Sequence, residues 1–268
     1  MRAHPSTESA IHLDWVICRD QTSFMAHFES WKHGLKTAFN IEKTPESLLR
    51  RYFLETPLGP PVIILGLNKE TVVASSTLVP LALKDPGSST VYSYLQYIAA
   101  YILPGYSDGF HTYREMLRLV RAELNNRQGQ FILSFPNKNT KNLMLRLGQF
   151  KHLDAGFLIK GKMEQTMIQR LSAELSQPFF DETLLEWRVH SRLTREAGSI
   201  TRTYEDMPNL LDVTSGEFNK DFDGLMPWWD SWGEPPYCAT DDNRLDLCVY
   251  SETDIPAIKR SFLLSDTF

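Results

Sequence analysis

The segment from Val91 to Phe157 constrains the fold more than any other part of this chain. Val91 to Leu103 is a long run rich in aromatic and aliphatic residues, the composition of a strand. Pro104-Gly105-Tyr106-Ser107-Asp108-Gly109 ends it with residues that punctuate regular structure. From His111 to Asn126 the residues Tyr113, Met116, Leu117, Val120 and Leu124 recur at steps of three or four, while Arg114, Arg118 and Arg121 lie elsewhere. That spacing predicts an amphipathic helix. Phe131 to Phe135 predicts a short buried strand, Asn139 to Leu147 a helix, and Ala155 to Lys160 another strand. Such an alternation buries its apolar faces only as a sheet with helices packed on it.

The preceding residues extend the same plan. Ile11 to Arg19 predicts a strand, and Phe24, Phe28, Trp31, Leu35 and Ala38 form one apolar stripe on a helix from Ser23 to Phe39. Pro45 to Leu54 predicts a second helix, with Thr44 able to cap it and Pro45 at its first position. Val62 to Leu67 and Thr71 to Leu81, joined at Asn68-Lys69-Glu70, predict a hairpin. The fold class is therefore α/β, with a mixed sheet flanked by helices. Past Lys162 the periodicity weakens. Helices are expected from Glu164 to Leu175 and from Asp181 to Leu193, before a Thr-, Gly- and Asp-rich stretch from Thr201 to Gly224. The expected division is a main domain over 1–163 and a smaller, less regular part over 164–268 packing on it.

Composition narrows the function. The chain has 268 residues, 42% hydrophobic and 23% charged, near the averages for soluble globular proteins. Its net charge is −5, which excludes a basic nucleic-acid binder of the usual kind. Cys18, Cys238 and Cys248 contain no CxxC pair, so neither a disulfide framework nor a four-cysteine metal site can be written. The longest apolar run, 60–67, falls well short of the roughly 18 residues that span a bilayer, and no secretory signal opens the chain. A cytoplasmic protein with no metal, no membrane partner and no nucleic-acid partner is expected. Charge is uneven: Arg114 to Arg170 holds eleven Lys or Arg against four Asp or Glu, whereas Tyr204 to Asp254 holds two against thirteen. An anionic ligand would favour the middle of the chain.

Chemistry concentrates where the strand ending at Leu103 turns into the helix opening at His111. At such a turn free backbone N–H groups and the helix dipole converge, a ready place for a diphosphate. Gly109 permits close approach of a ligand, Arg114 adds positive charge one turn in, and Asp108 is placed to cap the helix. Pro104-Gly105-Tyr106, with Phe135-Pro136-Asn137-Lys138-Asn139 and Leu145-Arg146-Leu147-Gly148, resembles the GNAT superfamily of N-acyltransferases, and within it a branch linked to bacterial polysaccharide or surface-glycan modification. Glu55-Thr56-Pro57-Leu58-Gly59-Pro60-Pro61 and Leu184-Leu185-Glu186-Trp187-Arg188 are similar to the same branch. The resemblance covers residues 11 to 160 well and the remainder thinly.

The resemblance implies a GNAT-like fold that uses acetyl-CoA, or another acyl-CoA, to acylate the amine of a small molecule. It places the cofactor along Ile102, Leu103, Ser107, Asp108, Gly109, Phe110, Arg114 and Asn137. Tyr101, Gln96 and His111 are the candidate catalytic residues; strand alternation sets Gln96 and Tyr101 on opposite faces, and Tyr101 lies nearer the turn. Trp228, Trp229 and Trp232 form a candidate sugar-stacking platform. The turn keeps one glycine of the superfamily's pattern, and Met144 stands where many members carry a proton-donating tyrosine. A GNAT-like domain that has lost cofactor binding and instead binds a partner or small metabolite without catalysing is accordingly the alternative expectation.

Overall fold

The computed structural model describes residues 12–42, 46–84, 91–108, 110–126, 131–162, 177–178, 193–196, 199–203, 223–230 and 244–252. The chain forms β1 (Asp14–Cys18), the helices α1 (Gln21–Met25), α2 (Phe28–Phe39) and α3 (Glu46–Leu54), then β2 (Val62–Asn68), β3 (Thr71–Lys84) and β4 (Val91–Ile102). Next come α4 (His111–Asn125), β5 (Ile132–Ser134), α5 (Lys138–Leu147) and β6 (Lys151–Lys162). Later strands are β7 (Gln177–Pro178), β8 (Leu193–Glu196), β9 (Ser199–Thr203), β10 (Asp223–Trp229) and β11 (Arg244–Tyr250).

The main sheet runs β1-β2-β3-β4-β5-β11-β6-β10, with β7 beside the far end of β3, while β8 and β9 pair separately. β4 and β5 are parallel, as their crossover through α4 requires, and the other described pairings are antiparallel. β11 lies beyond the division expected near residue 163, yet it pairs with β5 on one side and β6 on the other. Residues from both sides of that division therefore share one sheet. The helix expected from Glu164 to Leu175 lies outside the described residues, as does the one expected from Asp181 to Leu193 except for Leu193 itself, which begins strand β8 instead.

One face of the sheet carries α1 to α3. Trp31 is wholly buried there, edge-on to Phe24 at 5.0 Å and to Phe53 at 5.1 Å, and its Nε1 donates to Ser75 Oγ at 3.1 Å. Burying a side chain of this kind stabilises by roughly 1.5–3 kcal/mol, and the bonded indole nitrogen avoids the cost of an orphan donor. The single helix expected from Ser23 to Phe39 is interrupted. His27 donates its amide to Phe24 O at 2.9 Å, a tight turn that separates α1 from α2. Phe24, Phe28, Trp31 and Leu35 remain buried, whereas Ala38 is exposed and does not belong to the stripe.

The other face carries α4 and α5. Tyr113, Met116, Leu117, Val120 and Leu124 are all buried, and Met116, Leu117 and Val120 pack with Ile64, Leu95 and Ile132 of the sheet. Glu123 near the end of α4 is buried and accepts from Arg19 Nε at 2.9 Å, tying the helix to the end of β1. No helix among the described residues is long and apolar enough to cross a membrane.

Candidate functional site

The site is built on the parting of two central strands. β4 pairs with β5 at Leu95 with Ile132 and Gln96 with Leu133, and Ser134 Oγ donates to the Tyr97 carbonyl at 3.1 Å. Beyond that point β4 continues to Ile102 along β3, while the chain leaving β5 turns through 135–137 into α5. The two strands thus bound a wedge. A bulge in β4 shapes it: two steps along β3, from Ser75 to Thr77, face three along β4, from Tyr101 back to Ile98, and Ala99 takes φ +51°.

The bulge also resets the faces of the strand. Tyr94, Ile98, Ala99 and Tyr101 all join the core under α2, and Gln96 alternates with Tyr94 and Ile98 onto the same side. The expected opposition of Gln96 and Tyr101 is therefore corrected. An extra residue lies between them. Tyr101 is buried, and its hydroxyl donates to the Trp31 carbonyl at 3.2 Å. Burial raises its pKa, so the phenol stays protonated. Gln96 is likewise buried. Neither side chain opens onto solvent, and Tyr94 stacks on Phe131 at 5.6 Å, so the strand's aromatics serve mainly as packing.

Backbone geometry selects among the expected cofactor contacts. The Leu103 amide donates to Val73 O at 2.8 Å and is thus committed to β3. Antiparallel alternation then turns the N–H and C=O of Ile102 away from β3, toward the wedge. Leu103 itself is half-buried against the core.

At the turn, Gly105 takes φ +87°, a conformation that favours glycine. Asp108 caps α4: its Oδ1 accepts from Thr112 N at 2.8 Å and from Thr112 Oγ1 at 2.6 Å. The Thr112 hydroxyl, more than any other group, holds the Asp108 carboxyl below its ordinary pKa. An acidic oxygen thus occupies one of the amides expected to receive a diphosphate. Phe110 is 64% exposed, Ser107 is exposed, and His111 and Arg114 stand in solvent with Arg114 Nη2 and His111 Nδ1 3.2 Å apart. Gly109 lies outside the described residues. Asn137 spends its side-chain oxygen capping α5, accepting from Asn139 N at 3.1 Å and Thr140 N at 2.9 Å.

The structure also brings together a polar cluster that no motif in the sequence announces. Asp246 on β11 is buried, and its Oδ1 lies 2.8 Å from Lys141 Nζ on α5 and 3.0 Å from His152 Nε2 on β6. The pKa of the Cys248 thiol, two residues along, is pushed up to about 12 by burial, with Asp246 adding to the effect. Met144 is wholly buried among apolar neighbours. Trp228 and Trp229 lie on β10, paired with Phe157 and Gly156 of β6, and Trp232 lies outside the described residues.

No family model matches the chain, and no curated protein matches it. Among solved structures, a Pyrococcus horikoshii protein assigned as an acetyltransferase aligns over 100% of this chain and 99% of its own, with a TM-score of 0.51 and 10% identity. The chain has a GNAT-type acetyltransferase fold. An acyl-CoA N-acyltransferase from Pseudomonas aeruginosa is similar to 55% of the chain over 92% of its own length, at 14% identity and a TM-score of 0.41. An Enterococcus faecalis protein assigned as an N-acyltransferase matches 56% of the chain at 14% identity and a TM-score of 0.43. The aligned part spans 37% of that protein, well under two thirds of its length.

Proposed function

We propose that this chain is a cytoplasmic acyl-CoA-dependent N-acyltransferase that transfers an acyl group, most simply acetyl, to the amine of an amino sugar or amino-acid derivative. Attack is direct, in a ternary complex. The observation that carries this reading is the parting of β4 from β5 past Gln96 and Leu133. It leaves Ile102 directing its peptide groups into the wedge, where they would pair with an extended amide-bearing arm. The motifs around Pro104 and Phe135 support the same reading.

Acyl-CoA, when bound, supplies a thioester; the amine's N–C bond forms, the C–S bond breaks, and the thiol departs with a proton. The chain contributes chiefly alignment, which can supply more of the acceleration of such a transfer than proton transfer does. Ile102 would hold the arm through its backbone, and Arg114, with His111 beside it, would face the diphosphate from the helix surface. Tyr101 is engaged with the Trp31 carbonyl and supports the wedge from beneath. Met144 has no proton to give, so water takes that role.

One observation favours a second reading, a GNAT-fold domain that has lost cofactor binding and holds another ligand without catalysing: the Asp108 carboxylate sits on the Thr112 amide. Titration calorimetry with acetyl-CoA separates the two. Heat of binding is expected, weakened by Arg114→Glu more at low salt than at high. Asp108→Asn should tighten binding, because Asn caps a helix about as well while removing the charge. No binding at millimolar acetyl-CoA by either protein would leave the second reading.

A further inference from the structure

Two strands away from the wedge, α1, the end of α3 and the loop over 55–61 line an open cavity of about 310 Å³. That volume lies at the lower end of the range typical of small-molecule sites. Its floor is apolar, made by Cys18, Phe24, Leu54 and Ile63, and Pro60 and Pro61 form one wall. Burial, ahead of all other causes, pushes the Cys18 thiol up, so the floor carries no charge at neutral pH.

The charge is at the rim. Asp20 lines the cavity, and its Oδ1 accepts from the Ser23 amide at 2.8 Å. Among the described residues Asp20 makes no ion pair, whereas Arg19 pairs with Glu123, Lys32 with Glu29 and Glu46, and Arg50 with Glu46. The cavity therefore combines an apolar, partly aromatic floor with the Asp20 carboxylate at its rim. Such a combination selects for a cation with a compact apolar body. Ile63 pairs with Thr77 of β3, which pairs with Ile98 of β4, placing the cavity two strand spacings, roughly 10 Å, from the wedge. The aromatic core of Phe24, Trp31 and Phe53 packs on this same face. A ligand here would not meet a thioester held between β4 and β5.

We infer that this cavity is a separate binding site for a small organic ammonium ion carrying a short aromatic or aliphatic body, with Asp20 as its counter-charge. The test uses the full chain and no acyl donor, so it stands apart from the acyltransferase reading. Titration calorimetry would compare phenethylammonium, 2-phenylethanol and phenylacetate, three probes of similar shape and different charge. The expected result is millimolar or tighter binding of the cation, about tenfold tighter than the alcohol, with phenylacetate weakest. Asp20→Asn, which preserves a good helix cap, should bring the cation down to the alcohol's affinity. Gln21→Trp, at an exposed position on the cavity lining, should remove binding of both while circular dichroism shows an unchanged fold. Equal affinity for cation and alcohol, an unaltered cation affinity in either variant, or no cation binding at about 10 mM would overturn the inference.

Discussion

A methyl group at position 34 would stand 2.5 Å from the Tyr101 hydroxyl oxygen, so α2 approaches β4 as closely as it does only because Gly34 has no side chain. Gly34→Ala should therefore destabilise the protein by about 1–2 kcal/mol in urea unfolding, overpacking outweighing the roughly 1 kcal/mol that alanine adds to a helix. In a Tyr101→Phe background the penalty should shrink, and a double-mutant cycle would read the coupling. At Asp108 the expected signature is in acid. Its pKa is lower folded than unfolded, so its stabilising contribution is present above the unfolded value, about 3.9, and is lost as pH falls through the folded one. Unfolding free energies of the native protein and Asp108→Asn should converge as pH drops below about 4, and a constant gap down to pH 2 would contradict the assignment. Capping by Asp108 was legible in the sequence, because a cap needs only its own neighbours. The role of Tyr101 was not, since it depends on a helix some seventy positions away approaching through a glycine.

Between elements, the bulge at Ala99 explains why the order of strands and helices was readable and the faces of β4 were not. Hydrophobic composition announces a strand, but one added residue reverses every side chain beyond it, and Ala99 looks like any other strand alanine. The joint between α5, β6 and β11 was equally silent, because Asp246 lies 105 positions from Lys141. Removing that buried carboxylate with Asp246→Ala should cost about 1–3 kcal/mol, its partly exposed partners returning to water rather than remaining as buried charges. Amide exchange in the first turn of α5 should accelerate in the same variant. A change confined to distant β1 would speak against the joint.

For the whole molecule, the weak periodicity past Lys162 points to a peripheral part, whereas β11 is interior to the sheet. Its sequence, RLDLCVY, is short and lies among acidic, loop-like residues, so nothing local marks it as a central strand. A chain cut after Lys162 would lose the strand that joins β5 to β6, and with it Leu247 and Val249 of the core. Such a truncation should unfold without a cooperative transition and bind a hydrophobic dye; a sharp urea transition like that of the full chain would show that β11 is dispensable.

The route of the polypeptide through β11 has a consequence for biosynthesis. β5 and β6 are made early, but the strand that seals their facing edges is translated only after residues 163–243. Throughout that interval the nascent chain presents two unsatisfied edges that any extended peptide could zip onto, so the ribosome-bound intermediate is when this protein is most exposed to aggregation and most in need of a chaperone.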